Sequence, residues 1–251
     1  MLLKTEGVVL KQNKFGEGDA ILTIFSRKMG KIQGVAKGAY RQRGKYSLGA
    51  QVFSYGEFVL FKGKELYQIS QIDIKQSFYK LRENVDRLAY ASYILELTGT
   101  VITEGQTNNR LFETLLRCLQ ELSTMDDNFQ IITKAFELKL LNYSGLKPVL
   151  DKCVQCGKEI GESAFFHPEE GGVLCGVCCE EGFAVSRISK TTLNVMNYLL
   201  ETDFSSLKRL RIKEYILLEL EKIMRQYIGT HLERTKFNSL DFLNLINNNS
   251  K

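Results

Sequence analysis

No stretch of this chain approaches the roughly 20 consecutive apolar residues that a membrane-spanning helix needs. The opening Met1-Leu2-Leu3-Lys4 is too short an apolar run for an export signal. The expected compartment is therefore the cytoplasm, where thiols stay reduced and several cysteines point to metal ligation before disulfides. Proline is scarce: Pro148 and Pro168 are the two in 251 residues, and both flank or lie inside the cysteine-bearing stretch. Several catalytic signatures are also missing. Met29-Gly30-Lys31 lacks the preceding glycine and the following hydroxyl of a phosphate-cradling loop. There is no H-E-x-x-H and no G-x-S-x-G, so neither a zinc-protease site nor a nucleophile elbow can be built. The chain is expected not to be an enzyme. One further absence is local: between Asp19 and Glu57 there is no acidic residue at all.

What is present divides the chain by charge. Residues 1–80 carry 14 Lys and Arg against 6 Asp and Glu, a net +8, whereas residues 81–251 carry 20 against 23, a net −3. A polyanionic partner is expected for the first module and a different kind of partner for the second.

Periodicity divides it at the same place. Gly7–Leu10, Ala20–Phe25, Lys31–Ala36, Phe58–Phe61 and Tyr67–Ile74 are short and rich in β-branched or aromatic residues, with glycine-bearing turns between them. Tyr67–Ile74 alternates, which predicts one buried and one wet face. Five strands without an intervening helix fit a small barrel, of which the OB-fold is the leading five-stranded case; a sandwich or an SH3-like barrel fits the pattern as well. After residue 80 the spacing turns helical. Leu88, Ala91, Leu95, Thr98 and Ile102 form one stripe, Leu111, Leu115, Leu119 and Leu122 a second, and Phe129, Ile132, Phe136 and Leu140 a third. Further helices are predicted over 190–201 and about 208–230, with an irregular insert at 148–185. Cys118, on the second stripe, is expected to be a core thiol. The fold class is α+β: a barrel over 1–80, then a helical domain over 81–251 that carries the insert.

The insert holds Cys153-Val154-Gln155-Cys156 and, eighteen residues later, Cys175-Gly176-Val177-Cys178. This C-x2-C-x18-C-x2-C spacing is that of a four-cysteine zinc site, because each two-residue spacer curls the chain so that two thiolates face one ion. One structural Zn(2+) is expected on Cys153, Cys156, Cys175 and Cys178. Cys179 leaves a C-x3-C register open, and His167 could stand in for a cysteine. A metal-free insert with buried thiols is the plain alternative. Catalytic zinc would need an open coordination position and an acid–base group beside it. Ala164–His167 and Gly171–Leu174 read as a small hairpin between the two cysteine pairs.

Seven cations fall in the acid-free stretch: Arg27, Lys28, Lys31, Lys37, Arg41, Arg43 and Lys45. The densest part is Lys37-Gly38-Ala39-Tyr40-Arg41-Gln42-Arg43-Gly44-Lys45, between the third and fourth strands. Cations track phosphates and an aromatic such as Tyr40 offers a platform for a base, the combination used on single strands. A solvated basic loop with no partner would look similar; its position on a barrel of this kind favours DNA or RNA. The candidate contacts are Lys37, Tyr40, Arg41, Arg43 and Lys45, with Arg27 and Lys31 beside them. His231 is read as a helix-terminal residue.

Several of these pieces, in their order, resemble the RecO family. Thr5–Leu10, Phe15–Asp19 and Gly34–Ala39 are similar to its N-terminal signature, Gly145–Pro148 running into Cys153–Gly157 and Gly171–Cys175 to its zinc insert, and Tyr227–Leu232 with Ser239–Leu243 to its C-terminal end. The chain departs from the family at Val52-Phe53, where a proline commonly precedes the phenylalanine, and at Tyr40-Arg41, where two adjacent basic residues are usual. The resemblance implies an N-terminal OB-fold, a helical domain with an embedded zinc module, and binding of single- and double-stranded DNA. It further implies strand annealing at the nucleoid and partnership with RecR and the C-terminal tail of the single-strand-binding protein in loading recombinase. For that acidic tail, Lys208, Arg209, Arg211 and Lys213 are the candidate contacts. Two other classes remain open from the residues alone: a zinc-ribbon RNA-binding or ribosome-associated factor, and a metal-dependent nuclease or nucleotide-modifying enzyme.

Overall fold

The computed structural model describes residues 2–41, 44–161, 163–180, 185–232, 237 and 239. The chain forms two compact units, residues 1–124 and 125–251.

In the first unit, β1 (Leu2–Phe15), β2 (Asp19–Ser26), β3 (Gly30–Ala36), β4 (Tyr55–Lys62) and β5 (Tyr67–Gln76) close into a barrel in the order β1-β2-β3-β5-β4. Four of the five seams are antiparallel; the fifth is a short parallel pairing of Gly34 with Tyr67 and Val35 with Gln68. Val9, Leu22, Ile24, Ile32, Phe58, Leu60 and Ile69 fill the interior. β1 is much longer than the apolar core Gly7–Leu10 suggests. Its outer residues are charged and paired across strands, Lys4 with Glu57 at 2.7 Å and Glu6 with Arg27 at 2.6 Å, so the strand continues where hydrophobicity does not.

The connection from β3 to β4 does not loop away into solvent. Ala39, Tyr46 and Ala50 join the barrel core, and successive turns tie the segment together through Gly44 N–H to Arg41 O at 2.9 Å and Ala50 N–H to Tyr46 O at 2.8 Å. β5 carries an extra residue, Ser70, where the register with β4 shifts. A bulge leaves polar backbone outside the ladder, and here the Ser70 carbonyl accepts from Tyr46 Oη at 2.5 Å and from Lys45 Nζ at 2.9 Å. The wall beyond β2 is covered by α2 (Asn109–Thr124), which follows α1 (Val85–Val101). Phe112 meets Phe25 edge-on at 5.2 Å, and the Arg27 guanidinium lies 4.6 Å above the Phe112 ring. Cys118 is fully buried on α2.

The second unit holds α3 (Phe129–Tyr143), a three-stranded sheet ordered β7 (Gly172–Cys175), β6 (Ala164–His167), β8 (Ser186–Ile188), then α4 (Lys190–Glu201), α5 (Phe204–Leu207) and α6 (Glu214–His231). Ser189 caps α4, its hydroxyl accepting from Thr192 N–H at 3.1 Å. Lys134 is buried on α3, yet its ammonium stays charged. Burial works against the charge, but Glu137 at 2.9 Å and Glu221 at 2.5 Å outweigh it and raise the Lys134 pKa. The long final helix differs from expectation. It starts at Glu214, and Lys208, Arg209, Arg211 and Lys213 lie in the α5–α6 connection. Asn128 explains why: its side-chain amide donates to the Lys208 and Leu210 carbonyls at 2.9 and 3.3 Å, engaging acceptors that a continuous helix would use internally.

Gly30 sets the β2–β3 turn against the segment after α1. Its φ is +65°, and a Cβ there would meet Gln106 O at 2.3 Å and Thr103 O at 2.5 Å. Both neighbours are backbone and cannot rotate away. Gly30→Ala is expected to destabilise the first unit by about 2 kcal/mol or more, measured as a lower urea midpoint with unchanged m-value; an unaltered midpoint would mean that this packing is not tight in solution.

Candidate metal centre and nucleic-acid interface

The four cysteines come together as the spacing predicts. The Sγ atoms of Cys153, Cys156, Cys175 and Cys178 all lie within 4.8 Å of one another, and those of Cys156 and Cys175 are 3.9 Å apart. A tetrahedral ion at about 2.3 Å from each sulfur requires sulfurs about 3.8 Å apart, so the cage has the dimensions for a metal ion. Each pair sits on a backbone knuckle. Gly157 N–H donates to Cys153 O at 2.9 Å with Gly157 at φ +71°, and the N–H groups of Cys178 and Cys179 both donate to Cys175 O, at 3.1 and 3.2 Å. The register is thus C-x2-C on both sides. Cys179 lies outside the four-sulfur group, as does His167, whose Nδ1 accepts from Glu170 N–H at 3.4 Å.

The electrostatics of the cage favour a cation. Burial pushes the Cys153 thiol up, but the backbone donors of Cys156, Cys175 and Gln155 outweigh it and bring the thiol down to about 6. Hydrogen bonding with the side chains of Cys156 and Cys175 holds the proton on Cys178, which rises to about 12. The first thiolate forms easily and then opposes the rest; a divalent ion at the centre removes that opposition. His167-Pro168-Glu169 matches the H-x-E arrangement of zinc deaminases in sequence. With four sulfurs gathered and His167 outside them, the arrangement has the closed form of a structural site.

The insert is anchored from α6, which sequence reasoning missed. Tyr227 donates from its hydroxyl to Leu146 O at 3.1 Å and packs edge-on against Phe166 at 5.5 Å. One turn on, His231 stacks on Tyr227 at 4.2 Å, and its Nε2 lies 2.8 Å from Pro168 O. His231 does end the helix, but its ring also holds the β6–β7 turn. The spacing Tyr227/His231, an i, i+4 aromatic pair on an otherwise apolar stripe, is the signal that could have found this.

The basic segment separates into engaged and free cations. Arg27 is committed inside the first unit, to Glu6 and to Glu113 at 2.6 Å each. Lys28 donates to Lys4 O at 3.1 Å, Lys31 to Gly99 O at 3.0 Å, and Lys45 to Ser70 O. Lys37 and Arg41 are exposed and, among the described residues, their charged groups hold no partner; Tyr40 is 47% exposed. Arg43 lies outside the described residues. The 37–41 turn is pinned at both ends, by Gly38 N–H to the Asp19 carboxylate at 2.8 Å and by Tyr40 N–H to Gly18 O at 3.0 Å. Of the tail candidates, Arg211 pairs with Asp127 at 3.1 Å on the surface, and Arg209 and Lys213 are exposed. No helix among the described residues is long and apolar enough to cross a membrane.

Family models cover nearly the whole chain. The one described as Recombination protein O N terminal matches residues 1–78, and the one described as Recombination protein O C terminal matches residues 82–241. Among curated proteins, the DNA repair protein RecO of Alkaliphilus metalliredigens is 47% identical over 242 residues, 96% of this chain and 98% of that protein. Those of Acetivibrio thermocellus and Desulforamulus reducens are 36% and 35% identical, each over 96% of this chain and covering 96% and 94% of the relative.

The Tyr227 anchor makes a specific expectation. Tyr227→Phe keeps the ring contacts and deletes the bond to Leu146 O, at a cost of about 1 kcal/mol. Amide exchange should accelerate in the 145–149 segment around Leu146 and leave the barrel strands untouched. Uniform acceleration in both units, or none in that segment, would count against the anchor.

Proposed function

The chain belongs to the RecO family, and from that premise we propose that it is a DNA-binding recombination mediator that anneals complementary strands and assists the loading of recombinase, without bond-breaking chemistry of its own. The observation that carries this reading is the pinned, exposed turn Lys37–Arg41 at the end of a closed five-stranded barrel. Annealing needs phosphate repulsion screened while the bases remain free to pair. Cations fixed to a compact barrel supply the first requirement and, reading no base edges, leave the second intact. Lys37, Arg41, Arg43 and Lys45 are assigned to phosphates and Tyr40 to a base; Arg27 and Lys31, with their engaged side chains, serve chiefly to shape the barrel rim. Both single and double strands are substrates for such contacts.

The four-sulfur cage is assigned one structural zinc ion, held by Cys153, Cys156, Cys175 and Cys178. Zinc supplies cross-linking of the two knuckles there, and the chain's own residues keep the insert compact. RecR and the acidic tail of the single-strand-binding protein are the proposed protein partners. The α5–α6 connection suits the tail: Arg209, Arg211 and Lys213 offer charge, and Tyr215 and Leu218, 55% and 64% exposed on the first turns of α6, offer apolar contact.

Protein purified without chelator is expected to contain about one zinc per chain, and Cys156→Ser to lose it with a loss of insert order while the barrel stays folded. An ordered insert in protein with less than about a tenth of an equivalent of any metal would refute the zinc assignment.

The functional reading is tested by mixing complementary oligonucleotides coated with single-strand-binding protein and following duplex formation without nucleotide. The protein should accelerate annealing. Replacing Lys37, Arg41, Arg43 and Lys45 by alanine should slow it and flatten a salt dependence of about −0.7 in log K per contact, near −3 for four. Annealing that requires ATP, or a slope unchanged in the quadruple variant, would overturn the mechanism or the site respectively.

A further inference from the structure

Lys11, Lys14 and Phe15 enter none of the assignments above, yet the fold brings Lys14 and Phe15 to the rim that carries Tyr40 and Arg41, with Lys11 further along β1 opposite Thr23. Phe15 ends β1 and pairs with Asp19, the first residue of β2. Ala20 in turn pairs with Ala36 at the end of β3. Phe15 and Lys37 are therefore about two strand spacings, about 10 Å, apart.

The hairpin and the turn are joined by more than proximity. The Asp19 carboxylate accepts from Gly38 N–H, the Gly18 carbonyl accepts from Tyr40 N–H, and the Arg41 stem lies over Gly18, 3.4 Å from where a Cβ would stand. The two loops thus present one surface. Phe15 is 49% exposed at its edge, close to the 47% of Tyr40. Lys11 and Lys14 are exposed on β1, and their ammonium groups, like the charges of Lys37 and Arg41, hold no partner among the described residues. Glu17 is the exposed carboxylate of this surface.

A half-exposed aromatic at a hairpin tip, on a surface that also carries unpaired cations, suits a ligand with flat apolar faces and a negative backbone. In a duplex those faces are stacked on each other and hidden; in a single strand they are available. We propose that Phe15 and Tyr40 are two stacking platforms of one site for unpaired nucleic-acid bases. Lys11 and Lys14 extend the phosphate track of Lys37 and Arg41 onto β1, so this end of the barrel selects single-stranded over duplex nucleic acid. The proposal rests on the reading of the 37–45 turn as a nucleic-acid contact and adds the second half of the site and its strand preference.

The full chain offers a direct probe, because it contains no tryptophan. In Phe15→Trp the new indole is the sole one, and its emission should be quenched when a mixed-sequence 20-nucleotide single strand is added and much less by the same sequence as duplex. In parallel, fluorescence anisotropy with these two oligonucleotides compares Phe15→Ala with the Lys37→Ala/Arg41→Ala pair. Phe15→Ala is expected to weaken single-strand binding about 5- to 150-fold and duplex binding less than about twofold, with Phe15→Trp close to the parent. If Phe15→Ala binds both as the parent does while the Lys37/Arg41 pair is weakened, the hairpin platform is wrong and the turn reading stands. If neither variant is weakened, both fall. Equal weakening for single strand and duplex, or an indole that single strand leaves unquenched, overturns the stacking role.

Discussion

Closure of the barrel depends on its shortest seam, the parallel pairing of β3 with β5 through Gly34–Tyr67 and Val35–Gln68. The other four seams are antiparallel and extend over seven or more paired positions, and without the parallel seam β3 and β5 would be open edges. Parallel neighbours cannot be joined by a tight turn, so the chain leaving β3 must cross the end of the barrel, form β4, and return as β5. That crossing is residues 37–54. The same topological demand makes the segment long, places Ala39, Tyr46 and Ala50 in the core, and leaves Lys37, Tyr40 and Arg41 outside it on the rim. A cluster of cations on an unconstrained loop would lose much conformational entropy on contacting a polyanion. Here that ordering is built in by Asp19, by the Gly18 carbonyl and by the bulged Ser70 carbonyl.

The second unit solves a different problem. Among the described residues of the insert the buried apolar side chains are few, Leu150, Cys153, Ala164, Phe166, Val173 and Leu174, and two features tie it together. One is the sulfur cage, whose thiolates repel each other unless a cation is shared. The other is α6, where Tyr227 and His231 reach the Leu146 and Pro168 carbonyls. Both act on backbone groups that would otherwise require water. Phe166, fully buried on β6, adds an apolar contact to Tyr227.

Much of this was legible in the residues and some was not, for reasons that can be stated. The five strands, the helical stripes and the four-cysteine set follow from period and spacing, which are local properties. The length of β1 is not local: its outward charges are stable in a strand because Glu57 and Arg27 arrive from β4 and from the β2–β3 turn. The apolar residues of Tyr67–Ile74 change phase across Ser70-Gln71, and the bulge at Ser70 absorbs that shift, so Tyr67, Ile69 and Ile72 all pack on the barrel core while Ile74 is 42% exposed. The last helix starts at Glu214, six residues after the apolar stripe suggests, because Asn128, eighty positions before Lys208, engages the Lys208 and Leu210 carbonyls. The role of His231 depended likewise on Pro168. Contacts between residues far apart in sequence are invisible to periodicity, and they account for the length of β1, the start of the last helix and the role of His231.

It also changes what the net charge means. The first 80 residues carry a formal +8, yet several of those cations are occupied: Lys4 and Arg27 by carboxylates, Lys75 by Glu6, and Lys28, Lys31 and Lys45 by carbonyl oxygens. A cation bound to a carbonyl keeps its charge and adds to the long-range field, but it must give up a hydrogen bond to contact a phosphate. Long-range attraction and short-range contact are therefore carried by different residues. In the proposed reading the field of the whole barrel would draw in a polyanion, and on this rim Lys11, Lys14, Lys37 and Arg41, whose charged groups hold no partner among the described residues, would set where the strand lies, with Lys45 joining them once it releases the Ser70 carbonyl. Such a division suits strand pairing. A surface on which every cation gripped a phosphate would hold each strand too firmly for its bases to find a complement, whereas a broad field with few contacts concentrates two strands while leaving both free to rearrange.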